Sequence, residues 1–474
     1  MVIEDLEEKV TRVFARLVPK TSKGNDFLQI WSIFIVSLGG FSVGAHFAWA
    51  SPSIPQLILN SSYIGRVTIE EASYISLISP STMLAASFLV GNAMKYIGRK
   101  YIIGFMAIPH IVSWILISKA NNIAGIYVAR ALSGIPEAIT YCTVTVYIGE
   151  IATPSVRGRW GNMLTCAIYL GQLSIGSVGA YVDIPKTAYI FLFAPLLQIL
   201  LVIFLPESPY FLLAKGKHDD AKSTLRQLRW KTDVDREFMT LTADVERQIS
   251  ESGSFKDLFC IGTNRRALLV LVGLRTCQQL SGISAFIIYA QYIFQLAGAK
   301  FVSAQVSSII FYFALFLLST ISSFVISKYS RKTMLTISSL GCTLSLLMNA
   351  IYFYVMEETE IDVSKLGWVP LFGMTSYIAS LTAGLSLLPT LMTGELFSVG
   401  IKNQAMFVSS ACLALTVIAL PKILQLLFSN FSLHVTFLFF TFWCSVSAVF
   451  SYYCVPETKG KTLEEIQQSL GKRQ

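Results

Sequence analysis

The sequence predicts an all-α membrane protein with twelve transmembrane helices in two pseudo-symmetric six-helix bundles, with short cytoplasmic helices between them. The first observation behind this prediction is composition. Charged residues make up 14% of the 474-residue chain and hydrophobic residues 54%, whereas a soluble chain of this length carries far more charge. An apolar run needs about 20 residues to cross a hydrocarbon core of ~30 Å. Twelve such runs can be counted, six on each side of a polar stretch at 208–262.

The second observation is an internal repeat. Pro206-Glu207-Ser208-Pro209 and Pro456-Glu457-Thr458-Lys459 each follow a long apolar run directly. Gly149-Glu150-Ile151 in the first half is matched by Gly394-Glu395-Leu396 in the second. Because self-similarity at a fixed offset indicates a duplicated structural unit, the two halves are expected to share one architecture.

Together these observations divide the chain into five parts. Ser208 followed by Pro209 is typical of a helix start, with Ser as the N-cap and Pro in the first turn, so helices are expected within the polar stretch. The predicted parts are a cytoplasmic N-terminal segment at 1–27, an N-terminal bundle at 28–207, a cytoplasmic helical linker at 208–262, a C-terminal bundle at 263–456 and a cytoplasmic tail at 457–474.

The formal net charge of +9 follows the predicted topology. Lys and Arg are dense in 95–100 and 215–266, which lie between an even and an odd span, and sparse in the alternate loops, where Lys119 and Lys186 are examples. This asymmetry is the positive-inside rule, and it predicts a multi-pass protein with both termini in the cytoplasm. It argues against a nucleic-acid partner, and we expect the bilayer to be the plasma membrane.

Nothing in the sequence indicates an enzyme, a metal site or a cofactor. The eight cysteines are scattered without metal-type spacing, and the four histidines form no motif, so the cysteines are expected to be small buried residues. The triplet Asn60-Ser61-Ser62 falls in the first predicted external loop, and Asn60 is therefore a candidate glycosylation site.

Several short motifs resemble the sugar porter family of the major facilitator superfamily, and the resemblance covers nearly the whole chain. Ala48-Trp49-Ala50-Ser51-Pro52 is most similar to the insect facilitated trehalose and hexose transporters. The resemblance implies the major facilitator fold, a substrate site between the bundles near the midplane, and alternating access by rocking. The other stretches that carry it are Gly98-Arg99-Lys100, Arg157-Gly158-Arg159, Pro206 to Leu213, Gln278 to Ile283, and Pro456 to Thr462.

Acidic and basic residues are expected at one depth, at the cytoplasmic ends of the spans. Opposite charges at the edge of a low-dielectric slab should pair, forming a latch that ties the halves together and breaks when that side opens. Plain anchoring of helix ends is the alternative. Lys95 and Ser327 stand where the family usually has Asp, which predicts a weaker latch. The predicted latch residues are Arg99, Glu150, Arg157, Glu207, Arg331, Glu395, Lys402 and Glu457.

Span seven supplies the leading substrate-binding candidates. Gln278 and Gln279 are adjacent amides in an otherwise apolar span, which is costly unless they face water or a partner. The resemblance implies that they hold the sugar, whereas hydrogen bonding between helices is the alternative. The resemblance further implies roles for Ser284, Thr165 and Thr390, although the family usually has Asn, Gln and Trp there.

Four ionisable residues are expected inside spans, namely His46, Arg130, Glu137 and Arg275. Intramembrane charges are functional candidates by default. The resemblance implies a structural role for Arg130, and Glu137 lies on the same helix face. Arg275 shares a face with the two glutamines and either approaches the substrate or reaches a helix end. His46 and Glu137 keep a proton relay open.

The expected function is facilitative uniport of a neutral sugar, such as a hexose or trehalose. Three alternatives stay open. The departures from the family pattern fit a non-transporting sugar sensor or transporter-like membrane protein. Arg275 fits a carrier of a different small solute, anionic or otherwise unlike a neutral sugar. The buried ionisable groups fit a proton-coupled symporter. The expected partners are a small-molecule sugar and the lipid bilayer, and the oligomeric state is left open.

Overall fold

The structure is a computed structural model. It describes residues 24–58, 62–65, 67–250, 255–297, 302–325, 329–361, 366–397, 399–459, 461 and 465–466, with the backbone alone at 248–249, 394, 399–400 and 402–403. Asn60, the candidate glycosylation site, lies outside the described residues, and Lys402 of the predicted latch is described by its backbone only.

The described residues form helices and no strands, which confirms the all-α membrane fold. Twelve helical segments follow one another in the predicted order, and we number them as spans 1 to 12. Their bounds are Phe27–Ile58, Ile69–Tyr96, Arg99–Lys119, 123–151, Met163–Gly179, Ile184–Phe204, Gly262–Leu296, Ala304–Val325, Arg331–Glu358, 369–396, Val399–Asn430 and Leu433–Tyr453.

Nine of these segments are long and apolar enough, by length and hydropathy, to cross a membrane. The other three are spans 4, 5 and 10. Span 5 has 17 residues in regular helix, span 10 is interrupted between Thr382 and Leu388, and span 4 contains a π-helical turn at Thr140–Val144. The short length of span 5 and the local irregularities of spans 4 and 10 distinguish these three from the other described spans.

Short helices lie between the spans. Ser208 accepts a hydrogen bond from the backbone N–H of Phe211 at 3.3 Å, and Pro209 is in the first turn of that helix, so the predicted helix start is confirmed. In the next helix Ala221, Leu225 and Leu228 are buried, one apolar face among charged residues. The bounds of the short helices are Pro154–Trp160, Pro209–Ala214, His218–Arg229, Asp235–Ser250 and Phe255–Cys260.

Span 7 is divided into two half-helices, Gly262–Leu280 and Ile283–Leu296. Gly282 lies between them with φ +97°, and a Cβ there would come 2.7 Å from a ring atom of Phe286. Only glycine adopts such a backbone conformation at low cost. Irregular backbone inside a membrane is tolerated where it is buried in protein or lines a cavity, and the neighbouring Ser281 and Ile283 are buried here.

Small residues allow close helix crossings in the first half. A Cβ at Gly44 on span 1 would lie 1.9 Å from the carbonyl oxygen of Ile168, and one at Gly171 on span 5 would lie 2.1 Å from that of Phe41. Because the hydrophobic effect contributes little to helix association in lipid, close packing of the two backbones stabilises these crossings.

Within each half, particular spans pack together. Spans 2 and 4 pack together in the first half, and span 9 packs on spans 10 and 12 in the second. Contacts between the halves come from spans 2 and 11, 5 and 8, and 1 and 7.

Candidate functional site

A chain of hydrogen bonds lies where the two halves meet. The Arg275 guanidinium donates from Nη1 to Gln278 Oε1 at 3.0 Å and from Nε to Ser409 Oγ at 2.8 Å. Gln278 Nε2 donates to the backbone oxygen of Ser386 at 2.6 Å. The Ser386 hydroxyl in turn lies 3.2 Å from the hydroxyl of Tyr169. The chain thereby joins spans 5, 7, 10 and 11, and it uses both polar atoms of the Gln278 amide.

Gln279 takes part in a separate bond. Its Oε1 accepts from the Ser284 hydroxyl at 2.5 Å, and both residues are buried. This bond spans the break at Gly282, because Gln279 precedes the break and Ser284 follows it. The structure therefore brings together three predicted substrate residues, namely Gln278, Gln279 and Ser284, around the break in span 7.

Thr165 and Thr390 occupy different surroundings. Thr165 is half-buried one helical turn before Tyr169 on span 5, and Thr390 is exposed on the second part of span 10. Within the described part of the chain, no hydrogen bond joins either hydroxyl to the cluster around Gln278. Their assignment to the substrate site therefore rests on the family resemblance alone.

Buried amide oxygens form a second set of candidates, which the sequence reasoning missed. Gln172 on span 5, Gln291 on span 7 and Gln425 on span 11 each have a buried Oε1 without a hydrogen-bond partner among the described residues. Buried polar atoms are normally satisfied, so each of these oxygens can accept a hydrogen bond from a donor that reaches it. An isolated Gln in an apolar span is the same signal that identified Gln278, and it could have found all three.

Arg130 ties three spans of the first half together. It is 2% exposed, and it donates to the backbone oxygens of Ile75 at 3.1 Å and of His46 at 2.5 Å. Glu137 is buried nearby on the same helix and accepts from Ser79 at 3.1 Å. These contacts give both charged groups polar surroundings and fit the structural role that the resemblance implies for Arg130.

His46 lies in a stack of aromatic rings. Its Nε2 is 3.1 Å from the Ser113 hydroxyl, and its ring centroid is 4.7 Å from that of His110 and 3.9 Å from that of Trp114. The sequence reasoning missed His110, whose two ring nitrogens have no hydrogen-bond partner among the described residues. The first half thus holds a second buried cluster, separate from the chain around Gln278.

At one end of the first half, Arg99 and Glu150 form a two-bond ion pair. Arg99 Nη2 lies 3.1 Å from Glu150 Oε1, and Arg99 Nε donates to Oε2 at 3.1 Å. Ser208 adds a hydrogen bond to Glu150 Oε2. Glu207 accepts from the backbone N–H of Arg99 at 2.9 Å, at the N-terminus of span 3, where the helix dipole favours a negative charge.

The second half repeats this arrangement. Arg331 Nη2 lies 3.2 Å from Glu395 Oε1, and Thr458 donates to Glu395 Oε2. Glu457 accepts from the Ser330 hydroxyl and from the backbone N–H of Arg331 at the N-terminus of span 9. The internal repeat therefore places the same four-part cluster at both positions.

Each ion pair joins residues of the same half. In this conformation the two clusters hold together the ends of neighbouring helices within a half, as in the anchoring alternative. Arg157 is exposed and forms no ion pair with the described residues. A latch between the halves thus stays a prediction.

The environment shifts the pKa of the two repeated acids in opposite directions. Burial raises the pKa of Glu207, and its hydrogen bonds to backbone N–H groups offset this only in part. For Glu457 burial is again the largest single effect, but the Ser330 hydroxyl and three backbone N–H groups together outweigh it and lower the pKa. The two halves therefore hold matching acids in electrostatically different settings.

The chain matches a family model over most of its length. The model is that of the "Sugar (and other) transporter" family, and it matches residues 32–470. The chain is 32% identical over 456 residues to the facilitated trehalose transporter Tret1 of Aedes aegypti, covering 95% of this chain but 56% of that protein. It is 33% identical to the Tret1 protein of Culex quinquefasciatus, covering 94% of this chain and 86% of that one.

Solved structures share the fold. The proton:xylose symporter XylE bound to 6-bromo-6-deoxy-D-glucose superimposes with a TM-score of 0.76 at 21% identity, covering 94% of this chain and 100% of that one. A partially occluded inward open conformation of XylE from E. coli gives a TM-score of 0.75 at 20% identity, covering 92% and 99%. The fold is that of the major facilitator superfamily, and with the family match it leads to one conclusion: the chain belongs to the sugar (and other) transporter family.

Proposed function

We propose that this chain is a facilitative carrier that moves a neutral sugar, a hexose or trehalose, down its gradient by alternating access. The observation that carries the proposal is the polar chain between the halves, in which Tyr169 of one half is hydrogen-bonded to Ser386 of the other, and Ser386 in turn accepts from Gln278. A sugar presents hydroxyls that both donate and accept, so amides and hydroxyls contributed by both halves suit it. The family match and the trehalose-transporting relatives support the same function.

The topology is part of this proposal. We propose bundles at 28–207 and 263–456 that rock about the central site, a cytoplasmic linker at 208–262, and cytoplasmic segments at 1–27 and 457–474. The protein would lie in the plasma membrane with both termini inside. The dense basic residues of the linker support this orientation.

In the proposed cycle the Gln278 amide bonds to the protein in this conformation and is also a candidate contact for the sugar. Its amide is hydrogen-bonded to Arg275 and Ser386 in this conformation, so a sugar must compete with these bonds or bind beside them. Gln279 and the buried oxygens of Gln172, Gln291 and Gln425 then supply further contacts. Sugar leaves chemically unchanged, because a carrier forms and breaks no covalent bond in its cargo.

Uptake into liposomes tests the proposal. The purified chain is reconstituted, and entry of labelled glucose and of labelled trehalose is timed without any ion gradient. We expect saturable uptake of one of them that stops at equal concentrations, with a loss of about tenfold in apparent affinity for Gln279→Ala, from removal of one or two hydrogen bonds. Gln295→Ala, at an exposed position on the same span, is the matched control and should leave uptake unchanged. No saturable flux of any sugar would overturn the proposal.

Proton-coupled symport is the second candidate, and the buried His46 and His110 pair favours it. The same liposomes with an acidic exterior distinguish the two mechanisms. Accumulation of sugar above the equal-concentration level would establish coupling and exclude simple uniport. An unchanged end point would leave the histidine pair as a structural feature of the first half.

A further inference from the structure

Arg275 is a positive charge near the middle of the bundle. It lies 13 residues from Gly262, where span 7 begins, which corresponds to roughly 20 Å along the helix axis. It bonds Ser409 of span 11, and Tyr141 of span 4 lies within electrostatic reach of it.

The hydrogen bonds of Arg275 go to neutral groups. They are the Ser409 hydroxyl and the Gln278 amide oxygen. Among the described residues, no carboxylate lies within 4.0 Å of this guanidinium, whereas Arg99 and Arg331 each have one at about 3 Å. The cation at the centre is therefore not neutralised by an ion pair, unlike those at the helix ends.

An uncompensated charge at this depth is expensive. Each charge taken out of water into the protein interior costs several kcal/mol unless a partner of opposite charge repays it. The chain could avoid that cost with an uncharged residue at this position, since the only described partners of Arg275 are neutral. Such a charge is explained when an anion pairs with it during part of the working cycle.

The surroundings indicate what kind of anion fits. A guanidinium has five N–H donors, and the two bonds to protein leave three for a ligand. Its planar fork matches a carboxylate in a bidentate pair. The neighbouring groups are Gln278 and the hydroxyl-bearing Tyr169 and Ser386, which suit the hydroxyls of a sugar ring. The complementary ligand is thus a sugar that carries a carboxylate.

We propose that Arg275 lets the central site bind carboxylate-bearing sugars, such as hexuronates, beside the neutral sugar of the proposed function, and more tightly than neutral sugars of the same shape. This inference rests on the proposed function, since it concerns the same site, and it adds a second, charged class of substrate. A charge-assisted bidentate pair should raise affinity by about tenfold or more relative to the uncharged analogue.

Two ligands of equal shape test the charge on the unmodified protein. Glucuronate and glucuronamide differ in the carboxylate alone, and each is titrated against the detergent-solubilised full chain by thermal shift, and against labelled glucose uptake in liposomes. We expect glucuronate to bind at least about tenfold more tightly than glucuronamide or glucose. Equal affinity of the two analogues would overturn the inference.

Variants then assign the effect to one residue. Arg275→Gln should abolish the preference for glucuronate and leave binding of glucuronamide within about threefold, and Arg275→Lys should retain part of the preference because it keeps the charge without the fork. Arg265→Gln is the matched control, since it removes an exposed Arg from the same helix, and should leave the preference intact. If Arg275→Gln fails to fold, the comparison of the two analogues on the parent chain still decides.

Transport supplies an independent readout. An anion carried alone moves one negative charge in each cycle, so an inside-positive potential should accelerate glucuronate uptake and leave glucose uptake unchanged. Glucose uptake without glucuronate binding would overturn this inference and leave the proposed function standing. Glucuronate binding without flux of any sugar would instead overturn the proposed function and leave the anion site standing.

Discussion

Lys422 of span 11 lies with its ammonium nitrogen 4.8 Å from the centroid of the Tyr74 ring on span 2. The same nitrogen donates to the Ser73 hydroxyl at 3.1 Å. These contacts join the second half of the chain to the first, at the ends of the spans that we propose face outward. A second contact at that side runs from the backbone N–H of Gln291 to the Ser51 hydroxyl at 3.2 Å.

Replacing Lys422 with Met should loosen this junction. The substitution keeps the apolar stem and removes a cation–π contact and a hydrogen bond, together about 1 kcal/mol, so the outward-open population should rise about fivefold. A cysteine introduced at Ser76, on the same face of span 2, reports this as faster labelling by a membrane-impermeant maleimide. Lys119→Met, at the end of span 3, is the control. Unchanged labelling would show that Lys422 does not contribute to closure.

Breaking the Arg99–Glu150 ion pair should lower the free energy of unfolding more than breaking the Arg331–Glu395 pair of the second half. The side chains of Arg99 and Glu150 are 15% and 13% exposed, whereas those of Arg331 and Glu395 are 13% and 30% exposed. Removing one partner of a more buried pair leaves a less hydrated charge behind. We expect Arg99→Gln, which leaves Glu150 without its ion pair, to lower the free energy of unfolding by about 2 kcal/mol. Arg331→Gln, which leaves the more exposed Glu395, should lower it by less, as measured by thermal unfolding in detergent. The reverse order would contradict this account.

Gly282→Ala should destabilise the protein and slow transport. Alanine at φ +97° is strained, and its Cβ would meet the rings of Phe286 and Phe440, so a cost of about 1–3 kcal/mol is expected. Gly149→Ala is the matched control, because a Cβ there meets nothing within 4 Å and alanine favours a helix by up to about 1 kcal/mol. Thermal unfolding of both variants measures the difference. A stable, fully active Gly282→Ala protein would exclude a special role for the break.

The two repeated acids should respond differently to pH. The pKa of Glu457 is lowered in the folded protein, so its ionised form adds stability above the ordinary carboxyl pKa, and this is lost as pH falls through the folded pKa. Glu457→Gln should therefore lower the melting temperature by about 2–4 °C at pH 7, with a smaller difference near pH 4.

For Glu207 the ionised carboxylate has the opposite effect on stability. Its pKa is raised by burial, so ionisation at pH 7 opposes folding and Glu207→Gln should cost less than Glu457→Gln at that pH. Melting temperatures of both variants across pH 4 to 8 provide the measurement. A larger loss for Glu207→Gln at pH 7 would contradict the assignment.

The sequence predicts the fold well because long apolar runs and helix-end motifs are local signals. The acid–base motifs also predict that Arg99 and Arg331 approach carboxylates. They do not predict that each pair stays within one half, because partner choice depends on how six helices are rotated against one another. The adjacency of Arg275 to Gln278 followed from helical spacing and agrees with their hydrogen bond.

Other features of the site could not be read from local patterns. Lys422 lies in a long apolar run, where its aliphatic stem can pack among apolar side chains while its ammonium group reaches a polar partner. That partner, Tyr74, is about 350 positions away in the sequence. The stacking of His46 on His110 likewise depends on the packing of spans 1 and 3. Contacts of this kind are set by tertiary geometry rather than by residue spacing.

The break at Gly282 separates two duties that a continuous helix would combine. The half-helix Gly262–Leu280 holds Arg275 and Gln278, whereas Ile283–Leu296 holds Gln291 and its bond to span 1. Variants before the break should therefore change cargo affinity alone, whereas variants of Ser284 and Gln291 after it should change cargo affinity and the opening of the outer side together. Cargo affinity can thus be altered from the first half-helix without altering the contact with span 1.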